Sequence, residues 1–183
     1  MGASDSALSH LVSCRVAYGC TDLTTAWPHG GTGLGLVGSV QVMPPAIYRP
    51  VLREEDNGSD VVVFLGGPLI VGMRIEGWDN DALAGTHPST TTVSGDRVIQ
   101  WPGSGTQPGG QVSPLSKLVV TPDDPTKPGV IVYSAAPMIQ LNEGMRLQAK
   151  SFLYVPVVFT GLPDGSGRLG AMGKFSRLSG LLA

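Results

Sequence analysis

Charge is scarce in this chain of 183 residues. Only 14% of them are Asp, Glu, Lys or Arg, and 12 basic against 14 acidic side chains leave a formal charge of −2. A surface built to grip phosphates needs clustered Lys and Arg, so the charge gives no reason to expect tight nucleic-acid binding. Cysteine is almost absent. Cys14 and Cys20, with five residues between them, and the scattered His10, His29 and His87 make no zinc-type ligand set. Free thiols in a reducing cytoplasm and a disulfide closing that short loop are the two readings of the pair. No stretch approaches the roughly 18 apolar residues of a membrane helix. Leu11-Val12-Ser13-Cys14 imitates a lipoprotein cleavage box, but Asp5, Ser6, Ser9 and His10 precede it without a Lys or Arg. It is read as a coincidence, and no secretion signal is expected. A catalytic set is missing as well. There is no G-x-S-x-G elbow, and three histidines in loop-like contexts, each read as a surface or turn residue, suggest no Ser/His/Asp triad.

Apolar and turn-forming residues are plentiful. The hydrophobic fraction is 42%, and Gly 26 and Pro 15 make up 41 of the 183 residues. They are interleaved with Val, Ile and Leu runs, which indicates many short strands joined by tight turns and not disorder. One domain of this length buries roughly two-thirds of its unfolded surface. So apolar a composition with so few charges points to a surface covered by partner subunits.

Along the chain, residues 1–33 hold no sustained period. Ala7 to Tyr18 suits a short helix or strand, and Trp27-Pro28-His29-Gly30-Gly31 must be a loop. Such a segment reads as an arm that orders against a neighbouring subunit. Leu34 to Met43 alternates up to Pro44-Pro45, and Ala46 to Leu52 is extended, with Pro50 marking an edge or bulge. Asn57-Gly58 is the strongest hairpin signal. Strands over about 59–65 and 68–76 follow, and Asp79 caps a short helix begun by Asp81-Ala82-Leu83. Further strands are expected at Asp96 to Trp101, Leu115 to Thr121, Val130 to Ala135, Glu143 to Ala149 and Ser151 to Thr160. The pattern predicts a mainly β fold, a sandwich or barrel with one short flanking α-helix and extended arms or loops, in a single domain over 1–183.

Two motifs dissolve on inspection. Gly33-Leu-Gly35-Leu-Val-Gly38 spells the dinucleotide fingerprint, but a loop precedes it and Ser39-Val-Gln-Val-Met43-Pro-Pro follows. No helix supplies the dipole that the pyrophosphate requires. The acids Glu54, Glu55, Asp56, Asp60, Glu76, Asp79 and Asp81 lack calcium-loop spacing and sit where solvated charge is ordinary. One asymmetry stands out. From Arg146 onward the chain holds Arg146, Lys150, Arg168, Lys174 and Arg177 against Asp164 alone, whereas 54–81 is mostly acidic. Head-to-tail stacking of a basic end on an acidic end is one reading, two solvated surfaces the other.

The unit Gly58 to Leu83, with its Gly66-Gly67-Pro68 break and Glu76-Gly-Trp78-Asp79-Asn-Asp81-Ala-Leu83, resembles the tail tube (major tail) proteins of long-tailed, siphovirus-like bacteriophages. Two further stretches carry the likeness: Leu118 to Pro125 leading into Gly129 to Met138, and Leu153 to Asp164. Together they span roughly residues 34–170. The resemblance implies a non-enzymatic virion protein without cofactors, forming stacked, hexameric rings of a hollow tube assembled in the host cytoplasm. Genome DNA would pass through the lumen without sequence-specific binding. It implies a core over 34–162 and clasping arms over 1–33 and 163–183. Residues 46–58 would make ring-to-ring contact, with Ile47, Tyr48, Arg49, Leu52, Arg53, Glu54 and Glu55 as the contact set, and 59–76 would line the lumen. Trp78 and Leu83 would pack the helix. Copies of itself, and tape measure, terminator and distal tail proteins, would be the partners. A terminator ring, a capsid decoration protein and, from another class, a carbohydrate-binding β-sandwich module are the rival readings.

Overall fold

A computed structural model describes residues 14–45, 47–51, 61–77, 90–99, 115–139 and 154–181. Strand formation follows the Val-rich runs. In chain order the strands are β1 (Cys14–Tyr18), β2 (Thr32–Gly33), β3 (Leu36–Met43), β4 (Ile47–Val51), β5 (Val61–Gly66) and β6 (Leu69–Gly77). They continue with β7 (Thr90–Val93), β8 (Asp96–Ile99), β9 (Ser116–Pro122), β10 (Pro128–Ile139), β11 (Val155–Gly161) and β12 (Gly170–Lys174). A single-turn helix, α1 (Phe175–Leu178), and a 3-10 turn over Ser179–Leu181 follow. The fold is mainly β with a short flanking helix.

The main sheet is antiparallel, in the order β2-β1-β9-β10-β11-β6-β3, with β12 added on β10. Its two ends, β2 and β3, are consecutive pieces of one stretch of chain, bent at Leu34-Gly35. The Leu34 amide donates to the Val16 carbonyl of β1 at 3.0 Å, so the bend curls the sheet round on itself as a small barrel. Alternate residues then point inward. Val16 and Tyr18, Leu118 and Val120, Val130 and Val132, Val155, Val157 and Phe159, and Leu69, Val71, Met73 and Ile75 fill the interior. Tyr18 and Phe159 meet at its centre with ring centroids 5.4 Å apart. The Tyr18 hydroxyl donates to the Ala135 carbonyl at 3.3 Å, which satisfies its one buried polar group. Burial pushes its pKa up to about 12.

A second apolar layer lies outside the barrel. Ala17, Val119, Ile131 and Tyr133, on the outer face of β1, β9 and β10, are covered by Cys20 and Leu23 and by Leu178 and Phe175 of α1. Gly129 makes room for the last of these, because a Cβ there would run into the Phe175 ring and stand 2.9 Å from the Val120 carbonyl.

Several expectations shift at this point. The segment read as an N-terminal arm supplies β1, held between β2 and β9, with Val16 and Ala17 fully buried. The segment read as a C-terminal arm supplies β12 and α1. The helix expected after Asp79 and the strand expected over Glu143 to Ala149 lie outside the described residues, and the helix that is described is α1. Thr90–Val93, for which no strand was expected, forms β7, paired with β8 through a Ser94-Gly95 turn whose φ angles are 53° and 97°.

Phe159 is 0% exposed at the barrel centre. Phe159→Ala is expected to cost about 3–5 kcal/mol, measured by urea unfolding. A loss under about 1 kcal/mol would mean that the interior closes over the gap.

Candidate assembly surface

The ladder joining β3 to β6 does not stop where the barrel does. Met43 pairs with Ile70, then Pro44-Pro45 and Gly67-Pro68 interrupt, and pairing resumes with Ile47 opposite Gly66 and runs to Val51 opposite Val61. The ribbon β4–β5 thus follows on from the barrel hairpin, with a one-residue register shift between Ile47 and Tyr48. Its two strands pack on each other and on no other described element to a comparable extent. Gly66 and Gly67, at φ 88° and 136°, occupy backbone conformations that side chains disfavour, and they turn the chain between β5 and β6.

A two-stranded ribbon with no third neighbour is marginally stable in water. Here its edges are also unequal. β4 carries Pro50, which cannot donate a ladder hydrogen bond, the usual guard of an outer edge. β5 reads Val-Val-Val-Phe-Leu-Gly, with high β propensity and neither charge nor proline.

Of the contact set expected from the sequence, Ile47, Tyr48 and Arg49 fall on β4, and Ile47 is 52% exposed. Leu52, Arg53, Glu54 and Glu55 lie outside the described residues, as do Trp78 and Leu83.

A second surface is the outer face of β3, β6 and β11, which no described element covers. Ser39, Gln41, Gly72, Arg74, Pro156 and Val158 border a shallow depression of about 190 Å³ there. The Arg74 guanidinium lies 5.0 Å from the centre of the Tyr154 ring, an attractive cation–π arrangement.

Ionisable groups elsewhere serve the fold. His29 is 4% exposed, which corrects its reading as a surface or turn residue: it is in a turn but buried. Its Nδ1 donates to the Thr25 carbonyl at 3.0 Å, and its Nε2 accepts from the Thr121 hydroxyl at 2.9 Å. Its ring lies 5.8 Å from that of Phe175, so it pins the 20–31 loop to β9 and α1. Sequence spacing gives no hint of this, because its partners are 4 and 92 residues away. Asp22, Asp124 and Asp164 each accept a backbone N–H from the residue two positions on, the turn-closing habit of Asp. The Asp164 carboxylate is held below its ordinary pKa, first by the Arg168 backbone N–H and also by the Arg168 side chain. Arg168 pairs with it at 3.0 Å and stacks on Tyr133 at 4.5 Å. The basic end expected from the sequence is therefore partly neutralised from within.

Both cysteines are free. Among the described residues no group of three His, Cys, Asp or Glu is placed to hold a metal ion, and no helix is long and apolar enough to cross a membrane. Trp27, the one tryptophan described, lies with its ring against Gly33 and the Arg15 guanidinium 5.8 Å from its centre.

No protein-family model matches the chain, and no curated protein matches it. Among solved structures, it is similar to a chain of an extracellular contractile injection system, the PVC sheath-tube complex in its extended state. The likeness covers 95% of this chain and 99% of that one, at 9% identity and a TM-score of 0.46. At that score the neighbour's role stays its own.

Two outcomes are expected in solution. Burial pushes the Cys20 thiol up to about 11 and also raises that of half-buried Cys14, so native protein at pH 7.5 should react slowly with a thiol reagent, and unfolded protein should titrate two thiols at once. Asp164→Asn should lower the melting temperature at neutral pH. Because the native carboxylate pKa is depressed, its contribution is present above the ordinary carboxylate range and lost as pH falls through the depressed value. The gap between wild type and variant should therefore close in acid. A gap that persists there assigns the loss to geometry and not to charge.

Proposed function

We propose that this chain is a structural subunit of a phage-type tail tube, which associates with copies of itself into stacked rings around a lumen, six to a ring as the sequence resemblance implies. The observation that carries the reading is the β4–β5 ribbon. It runs on past the barrel, pairs with no third strand among the described residues, and its β5 carries the uncharged, proline-free run Val61 to Leu65. An edge of that kind invites aggregation unless it is covered, and closed rings of subunits cover it.

The remaining surfaces fit the same role. With the interior of the barrel filled, the face left to border a lumen is the outer face of β3, β6 and β11. Ser39, Gln41, Gly72, Val158 and Thr160 there are uncharged, and Arg74 is engaged with Tyr154. A wall so poor in free cations lets DNA slide without gripping its phosphates. Ring-to-ring contact belongs on this reading to residues 46–58, through Ile47, Tyr48 and Arg49 with Leu52, Arg53, Glu54 and Glu55. Tape measure, terminator and distal tail proteins would meet the ends of the stack, with the virion tail as the final location.

Purified protein concentrated at neutral pH should form rings or tubes of uniform diameter in negative stain. Val62→Lys with Phe64→Lys, which puts charge on β5, should leave the barrel folded by circular dichroism and abolish the assemblies. A wild-type chain that sediments as a single compact protomer at every concentration rejects the proposal.

A further inference from the structure

The outer edge of β12 is unpaired among the described residues. β12 lies antiparallel to the first half of β10, with Met172 opposite Val130 and Lys174 opposite Pro128. The flanking hydrogen bonds fix which groups face β10. The Tyr133 amide donates to the Leu169 carbonyl at 3.1 Å, and the Phe175 amide to the Lys127 carbonyl at 3.0 Å. In an antiparallel ladder hydrogen-bonded positions alternate. Ala171 and Gly173 therefore turn their N–H and C=O groups towards β10. Gly170, Met172 and Lys174 turn theirs away from it.

Nothing described pairs with that outward row. β11 occupies the same edge of β10 further along, from Ala135 to Ile139, and ends at Gly161. The chain then leaves the sheet through the Asp164 loop and returns as β12, with no described strand beyond it. The usual guards of an open edge are thin here. The strand holds no proline, its only charge is the terminal Lys174, and Met172 at its centre is 62% exposed.

We propose that this edge pairs with β5 of a second copy of the chain, an inference that rests on the tube reading and names its lateral contact. The choice of occupant follows from the edges available. β4 is disqualified by Pro50. β5 has an uninterrupted row of donors and acceptors and no charge, and its length of 6 residues suits the 5 of β12. Since donor strand and receptor edge are different elements, the contact is heterologous and propagates from copy to copy until a ring closes.

Two experiments on the full chain test it. Met172→Pro removes an outward N–H that the β10 ladder does not use, so the protomer should unfold at the wild-type urea concentration while self-association weakens about tenfold or more by sedimentation. Separately, in a chain with Cys14 and Cys20 replaced by Ala, Met172→Cys is combined with Val62→Cys or Val63→Cys, neighbours that take opposite faces of β5. On oxidation one of the two pairs should give a ladder of disulfide-linked oligomers, and Met172→Cys alone should give none. Self-association without any such ladder, or a linked dimer from Met172→Cys alone, overturns the strand pairing and leaves the tube standing. A wild-type chain that never associates overturns both.

Discussion

One edge of β10 is taken by β9, while β12 and then β11 share the other, so twelve residues set the register for three strands. A shift at Val132–Ala135 lets the two halves of β10 serve these different neighbours. Since the side-chain period of a strand is two, any slip here would turn Val130 and Val132 out of the barrel and Ile131 and Tyr133 into it. The chain forbids that slip because both faces are occupied. Val130 and Val132 belong to the barrel interior and Ile131 and Tyr133 to the layer under α1. The two apolar layers thus lock one another through a single backbone.

This double burial also explains what could and could not be read from the residues alone. Strands that face the interior on one side and solvent on the other were visible: β3, β6 and β11 alternate, and their ends are marked by proline or glycine. So was the ribbon, whose boundaries follow Pro44-Pro45 and Gly66-Gly67-Pro68. β1 was not, because Val16, Ala17 and Tyr18 are buried in succession and leave no period to detect. β12 hid for the opposite reason. Gly170-Ala-Met-Gly-Lys174 has little strand propensity, and pairing with β10 imposes its conformation. The role of His29 depends on a partner in β9 that only the folded chain supplies.

The candidate site was legible in outline. Scarce charge with abundant Val and Gly pointed to a surface that needs company, and Ile47, Tyr48 and Arg49 of the expected contact set fall on β4, whose ribbon no third described strand joins. Composition could not separate the guarded edge from the open one. That distinction rests on which N–H groups are spoken for, a property of ladder phase that side-chain identity does not encode except at proline.

The break between barrel and ribbon has a mechanical meaning. Between the Met43–Ile70 and Ile47–Gly66 pairs stand Pro44, Pro45 and Pro68, none of which has an amide hydrogen to donate. Cross-links are therefore fewest there, and stiffness drops at that level. A force on the ribbon is absorbed there as a change of inclination and does not shear the barrel. Each protomer thus carries a compliant joint between its barrel and its ribbon.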